Sequence, residues 1–282
     1  MLEKLPQLTD DGLLTPEVGS WAERKYRLVW NYAKMFTTGM KNKWHERIYI
    51  DLFAGAGCAK IRESSIIVPA SPLLALDIPD KFDKYIFCEQ NESKLKALMQ
   101  RVSTRHPDIN AKYIHGDVTE HIDRIISEIP MHSSAHTVLS FCFIDPYKID
   151  NFNFQVIKEL SSKYVDFLIL IPSYMDAHRN VVKYAEDTHV SIEDFTGGKD
   201  WKELWDMERK KGTDFGVFLP ELFCTSMEKL GYLHTGVSDT ILIRSDKKNL
   251  PLYHLAFFSR HQLGMKYWKE SIKYSSDQGE LF

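Results

Sequence analysis

The chain has 282 residues, of which 44% are hydrophobic and 27% charged, enough to bury one sizeable core. Its net charge of −3 argues mildly against a dedicated nucleic-acid binder, which is usually basic; the small clusters Arg209-Lys210-Lys211 and Lys266/Lys269/Lys273 read as solvated faces. No stretch approaches the ~18 uncharged apolar residues of a membrane span. The acidic opening MLEKLPQLTDDG is not expected to be a signal peptide. The four scattered cysteines, Cys58, Cys88, Cys142 and Cys224, make no metal pattern and read as reduced, buried thiols of a cytoplasmic protein.

Residues 21–37 carry Ala22, Tyr26, Val29, Ala33 and Phe36 at helical spacing, which predicts an amphipathic helix. Residues 47–53 read as a strand, followed by Gly55, Gly57 and a loop over 58–70. Ser71-Pro72 predicts a helix start, with Ser71 as the cap. A second strand over 84–88 precedes a helix capped by Ser93, with Leu95, Leu98, Met99 and Val102 on one face. A third strand over 111–115 leads to a helix carrying Ile122, Ile125, Ile126 and Ile129. A fourth strand over 138–144, a helix over 152–163 and a fifth strand over 165–171 follow. Both strands are apolar at nearly every position, as strands covered by helices on both faces must be.

This alternation specifies a Rossmann-like, doubly wound, mostly parallel α/β sheet. Beyond Pro172 the rhythm loosens. Residues 173–214 read as a helical insertion covering the open end of the sheet; its Tyr184, Trp201 and Trp205 could form a base-stacking surface or simply core. A helix at 216–230 ends at Gly231. Strands at 237–244 and 252–259 then form a C-terminal antiparallel hairpin, and a last helix spans 261–273. Residues 1–282 are expected to make a single domain.

Ligands of open α/β sheets bind beyond the carboxyl ends of the strands. Four successive strands place an acid there: Asp51, Glu89, Asp117 and Asp145. One such acid is common turn chemistry; four together suit a nucleoside cofactor. Gly55 and Gly57 would let backbone approach it, Glu89 would accept ribose hydroxyls, and Asp117 the adenine amino group, with Val118 against the ring. The dinucleotide fingerprint fails, because Lys60 stands at the third glycine position and Glu89 lies well beyond the usual ~20-residue spacing. A cationic, phosphate-free cofactor among carboxylates fits better, and S-adenosylmethionine is such a molecule.

The stretch Tyr49-Ile-Asp-Leu-Phe-Ala-Gly-Ala-Gly57 resembles the first motif of class I S-adenosylmethionine-dependent methyltransferases. Further pieces resemble the three-Cys-motif partner proteins (TcmP): Trp21, Lys25 and Tyr32 on the first helix, Asp51-Leu-Phe-Ala-Gly55, Ser71-Pro-Leu-Leu-Ala-Leu76, Phe143-Ile-Asp-Pro-Tyr147, and His261, Gly264 and Trp268 near the end. The resemblance spans nearly the whole chain and is weakest over 173–214. It implies a methyltransferase-like fold and a partner, a three-Cys-motif protein of radical S-adenosylmethionine type. It implies no substrate, and members of the family can lack transferase activity.

In class I amino-methyltransferases the fourth strand ends in Asp/Asn-Pro-Pro-aromatic. The amine of adenine or cytosine is a poor nucleophile because its lone pair is delocalised into the ring. A carboxylate and the proline carbonyl accept its two N–H groups, and the aromatic ring stacks on the extruded base. Here the sequence is Asp145-Pro146-Tyr147-Lys148, one proline short. Asp145, Pro146 and Tyr147 are the expected catalytic residues; otherwise Pro146 only breaks the strand and Tyr147 packs beneath the insertion. The expected cofactor set is Lys25, Asp51, Phe53, Ala54, Gly55, Gly57, Glu89, Gln90, Asp117 and Val118, with Lys25 meeting the cofactor carboxylate. No His-Glu-x-x-His spacing predicts a metal site. The rival expectation is a methyltransferase-fold scaffold for the three-Cys-motif protein; a nicotinamide-dependent oxidoreductase is a weaker third.

Overall fold

The computed structural model describes residues 2–181, 184 and 191–274. Its chain order begins with a short strand β1 (Glu17–Val18) and helix α1 (Ala22–Met40), which ends three residues beyond the expected 37. Strand β2 (Glu46–Asp51) is followed by β3 (Cys58–Ile61) and β4 (Ile67–Pro69). Helix α2 (Ser71–Leu76), strand β5 (Lys84–Glu89), helix α3 (Glu92–Arg105) and strand β6 (Ala111–His115) come next. Helix α4 (Ile122–Ser127), strand β7 (Val138–Ile144), helix α5 (Gln155–Leu160) and strand β8 (Val165–Ile171) complete the alternating part. Helices α6 (Ser191–Thr196), α7 (Trp201–Lys210) and α8 (Phe215–Lys229), strands β9 (Ile241–Arg244) and β10 (Pro251–Phe258), and helix α9 (Gln262–Lys273) finish the described chain.

Seven strands form one sheet in the order β6-β5-β2-β7-β8-β10-β9. Counted within that sheet the order is 3-2-1-4-5-7-6. The seventh strand is antiparallel to both neighbours, and the pairs β2–β5, β2–β7, β5–β6 and β7–β8 are parallel. This is the Rossmann-like, mostly parallel sheet with a C-terminal antiparallel strand that the methyltransferase resemblance implies. The predicted hairpin is present, but β10 is inserted between β8 and β9, so β9 again runs with the parallel strands. The order reverses between β2 and β7, which puts the switch point beside Asp51 and Asp145.

Alternate residues of the central strands feed two cores. Ile48, Ile50, Cys142, Ile144, Phe167 and Ile169 face one layer. Tyr49, Phe87, Phe141, Phe143, Leu168 and Leu170 face the other, against Tyr32, Ala33 and Phe36 of α1. The Tyr32 hydroxyl donates to Asp166 at 2.8 Å, fixing α1 to β8 through the second layer. All four cysteines are free and buried. No described helix is long and apolar enough to cross a membrane.

Several local expectations are corrected. The stretch 58–70 is not an open loop: β3 and β4 pair antiparallel, and β1 adds to β3 in parallel, making a small separate sheet. Strands this short carry too little alternation to be seen in sequence. Helix α2 is capped at Ala70, not Ser71, because the Ser71 hydroxyl bonds Asp51 instead. Helix α3 is capped by Asn91, not Ser93. The Asn91 side chain accepts from the Lys94 amide at 3.0 Å, a reach that Ser93, already inside the first turn, cannot make. Tyr184 and Trp201 are fully buried, and Trp205 packs its ring on Phe215 and Phe218. The alternative of a base-stacking surface on the insertion therefore falls, and these rings are core.

Candidate functional site

Register sets the depth of each acid. Asp51 pairs opposite Phe87 on β5 and Phe143 on β7, so Glu89 and Asp145 sit two residues farther out, at the rim. Asp51 is wholly buried below them. It accepts from the Phe53 amide and the Tyr49 hydroxyl, each at 3.2 Å, and from Ser71. Burial pushes its carboxyl up to about 7; the Asp145 charge adds to that push, and the hydrogen bonds only partly oppose it.

The turn after β2 needs its glycines. Gly55 has φ +64° and Gly57 φ +83°, the left-handed region that favours glycine. A methyl group built on Gly55 meets nothing within 4 Å, so the backbone there borders open space; one on Gly57 would strike Leu98 at 2.9 Å. Glu89 holds this turn in place. Its two carboxylate oxygens accept the Gly55 and Asn91 amides, each at 2.8 Å. That backbone-fixing role is invisible in sequence, and a carboxylate keeps lone pairs beyond the two used here.

At the end of β7, Lys25 of α1 donates to Asp145 Oδ2 at 2.5 Å. Lys25 is only 8% exposed. Pro146 is buried, whereas Tyr147 is 75% exposed, so the alternative that it packs beneath the insertion is wrong.

These groups share a cavity of about 490 Å³. Lys25, Phe53, Ala54, Gly55, Asp145, Pro146 and Tyr147 line it together, which joins the expected catalytic residues to four of the ten expected cofactor residues; Asp51, Gly57 and Glu89 lie behind that lining. Pro172 and Met175, beyond β8, form part of its wall. Tyr26 and Tyr253 also line it; burial raises both phenols, with Asp145 adding to the effect. The Tyr253 hydroxyl has no partner among the described residues.

The remaining residues lie elsewhere. Asp117 accepts from the Thr119 amide at 2.8 Å and lines a separate cavity of about 350 Å³ with Asp150, Asn151 and Phe152. Val118 is core, and Gln90 is exposed and lines neither cavity. Sequence reasoning missed Tyr26, Tyr253 and the segment around Pro16–Gly19, all of which border the larger cavity. It also missed Arg101, whose partners at Asp11–Thr15 and Ala56 lie 45 or more residues away, so no local pattern marks it.

No protein-family model matches the chain, and no curated protein matches it. Among solved structures, a candidate O-methyltransferase of Klebsiella pneumoniae aligns at 10% identity over 89% of this chain and 84% of that one, with a TM-score of 0.44. Protein LPL1258 of Legionella pneumophila aligns at 12% identity over 52% and 68%, with a TM-score of 0.38. The N-terminal domain of EvdMO1 with S-adenosylhomocysteine bound aligns at 13% identity, with a TM-score of 0.33; the chain spans 48% of its length and half of this chain is covered. Likeness at this level describes a broad architecture only.

Proposed function

We propose that the chain is an S-adenosylmethionine-dependent methyltransferase acting on an amine, with an exocyclic amine of an RNA or DNA base as the acceptor class. The observation that carries this is the meeting of the Gly55 turn and the Asp145-Pro146 strand end in one cavity at the switch point of the sheet. The residues fit the cofactor. Gly55 leaves open space above its backbone, Glu89 offers a carboxylate beside it, and the Lys25 ammonium, which spends one N–H on Asp145, has two more for a cofactor carboxylate. When bound, S-adenosylmethionine would supply an electrophilic methyl group on a positive sulfur.

The chain's own residues then have defined tasks. Lys25 grips Asp145 Oδ2, which leaves Oδ1 to accept an amine N–H. The Pro146 carbonyl, at the same strand end, is the second acceptor for the amine. Together they orient the nitrogen lone pair, and most of the rate gain comes from that alignment. Tyr147, exposed at the mouth, is free to stack on a flat acceptor. Asp117, which lines a separate cavity, would take the far end of a nucleoside.

Calorimetry is expected to detect micromolar S-adenosylhomocysteine binding, weakened at least tenfold in Glu89→Gln. Labelled methyl groups are expected to pass from S-adenosylmethionine into RNA or DNA, and Asp145→Ala to stop transfer while retaining cofactor binding. No heat with either cofactor form would overturn the cofactor; undiminished transfer by Asp145→Ala would overturn the role of the acid.

The Lys25–Asp145 ion pair favours one second reading. An acid already neutralised by a buried lysine is also what a methyltransferase-fold partner of a three-Cys-motif protein, without its own transfer activity, would keep. Co-purification with that protein, together with full biological activity of Asp145→Ala, would select it.

A further inference from the structure

The segment before α1 is fastened to the glycine turn by one buried arginine. Arg101 of α3 is 3% exposed. Its Nε and Nη2 donate to the two carboxylate oxygens of Asp11, each at 2.7 Å. Nη1 donates to the Leu14 carbonyl at 2.9 Å and to the Ala56 carbonyl at 2.6 Å. Nη2 also donates to Thr15 Oγ1 at 2.8 Å and the Leu13 carbonyl at 3.3 Å. A guanidinium keeps its charge and presents its donors in a fixed fork, so it holds several acceptors in one geometry.

Ala56 is the residue between Gly55 and Gly57. The same side chain therefore fixes the turn that borders the cavity and the strap of residues 10–19. The strap is tied a second time beyond the turn: the Lys60 amide donates to Pro16 and the Arg62 amide to Val18, each at 2.9 Å. Its Pro16, Glu17, Val18 and Gly19 line the same cavity as Gly55 and Asp145. Gly19 is also needed sterically, since a methyl group there would meet the Trp21 ring at 2.0 Å.

We infer that residues 10–19 form a wall of the cofactor pocket, and that Arg101 is the positioning residue that makes the closure of this wall and the shape of the glycine turn a single event. The inference rests on the cofactor reading above. A ligand seated against Gly55 touches a turn whose carbonyl at Ala56 is shared with the strap, so binding and strap closure stabilise each other. Arg101 acts through Ala56 and the strap and need not touch the ligand.

Linkage supplies the test, because coupling must run in both directions. Removing buried Arg101 endangers the fold, so the variant of choice is Asp11→Asn, whose parent side chain is 40% exposed and sits on the strap. S-adenosylhomocysteine is the probe, with calorimetry for affinity and amide hydrogen exchange for the strap. In the unaltered protein the probe is expected to slow exchange over residues 13–19. Asp11→Asn is expected to bind at least tenfold more weakly and to exchange faster there without the probe, with β2 and β7 protected as before. Asp11→Glu is expected to restore much of the affinity, which a loss of general stability would not produce. Unaltered affinity in Asp11→Asn, or strap exchange in the native protein that ignores the probe, would overturn the inference and leave the cofactor reading standing. A native protein that binds no S-adenosylhomocysteine would overturn both.

Discussion

Asp51 concentrates the electrostatics of the site in one side chain. It is buried beneath the rim, and burial lifts its carboxyl to about 7, so near neutrality it is partly protonated before any ligand arrives. A positive charge placed above it favours the carboxylate and lowers that pKa. Binding of S-adenosylmethionine is therefore expected to release up to about one proton near pH 6–7, and its affinity to rise with pH up to about 7. The uncharged thioether of S-adenosylhomocysteine gives a weaker effect. Calorimetry in two buffers of different ionisation heat measures the release, and Asp51→Asn is expected to abolish it. Identical heats in both buffers for the native protein would rule out this role for Asp51.

At the scale of elements, the turn after β2 separates two glycines that look alike in sequence. Gly55 and Gly57 both hold positive φ, so alanine at either costs about 1–2 kcal/mol in backbone strain. At Gly57 the added methyl also strikes Leu98 at 2.9 Å, and overpacking adds about 1–3 kcal/mol. At Gly55 it projects into open space. Gly57→Ala is expected to lower the unfolding midpoint clearly more than Gly55→Ala, while Gly55→Ala loses S-adenosylhomocysteine affinity out of proportion to its stability. Equal destabilisation by both would contradict this division. The parallel strands were legible because β7 and β8 are apolar at all positions but Ser140 and Asp166, and the acids were legible because they stand at strand ends. What remained hidden came from distant partners. Glu89 reads as a ribose ligand until its bonds to Gly55 and Asn91 are seen; β1, β3 and β4 are too short for periodicity; and Ser71 reads as a cap until Asp51 claims its hydroxyl. Arg101 joins segments far apart in the chain, and nothing local announces that.

Across the whole molecule, buried ionisable groups set how stability responds to pH, and they oppose one another. Burial lifts Asp166 to about 6, against hydrogen bonds from Ser259 and Tyr32, and lifts Asp51 to about 7. In the unfolded chain both return to about 3.9. Between those values the folded state holds protons that the unfolded state has lost, so their contribution is fully present below about pH 4 and is lost as pH rises through 6 and 7. His254 works the other way. Burial lowers it to about 4 with its ring held by Ser173 at 2.8 Å, so its contribution grows as pH rises from about 4 to 6.5. The native profile over this range mixes two falling contributions with one rising one, so difference profiles are the informative measurement. Asp166→Asn keeps an oxygen for the Tyr32 hydroxyl but has no proton to lose. Its stability relative to the native protein is expected to rise between pH 4.5 and 7, by an amount on the order of 2–3 kcal/mol. Urea unfolding at pH 4.5, 5.5, 6.5 and 7.5 gives that difference directly. A flat difference would mean that Asp166 is ionised in the folded protein throughout, and that the bond from α1 to β8 is a charged one.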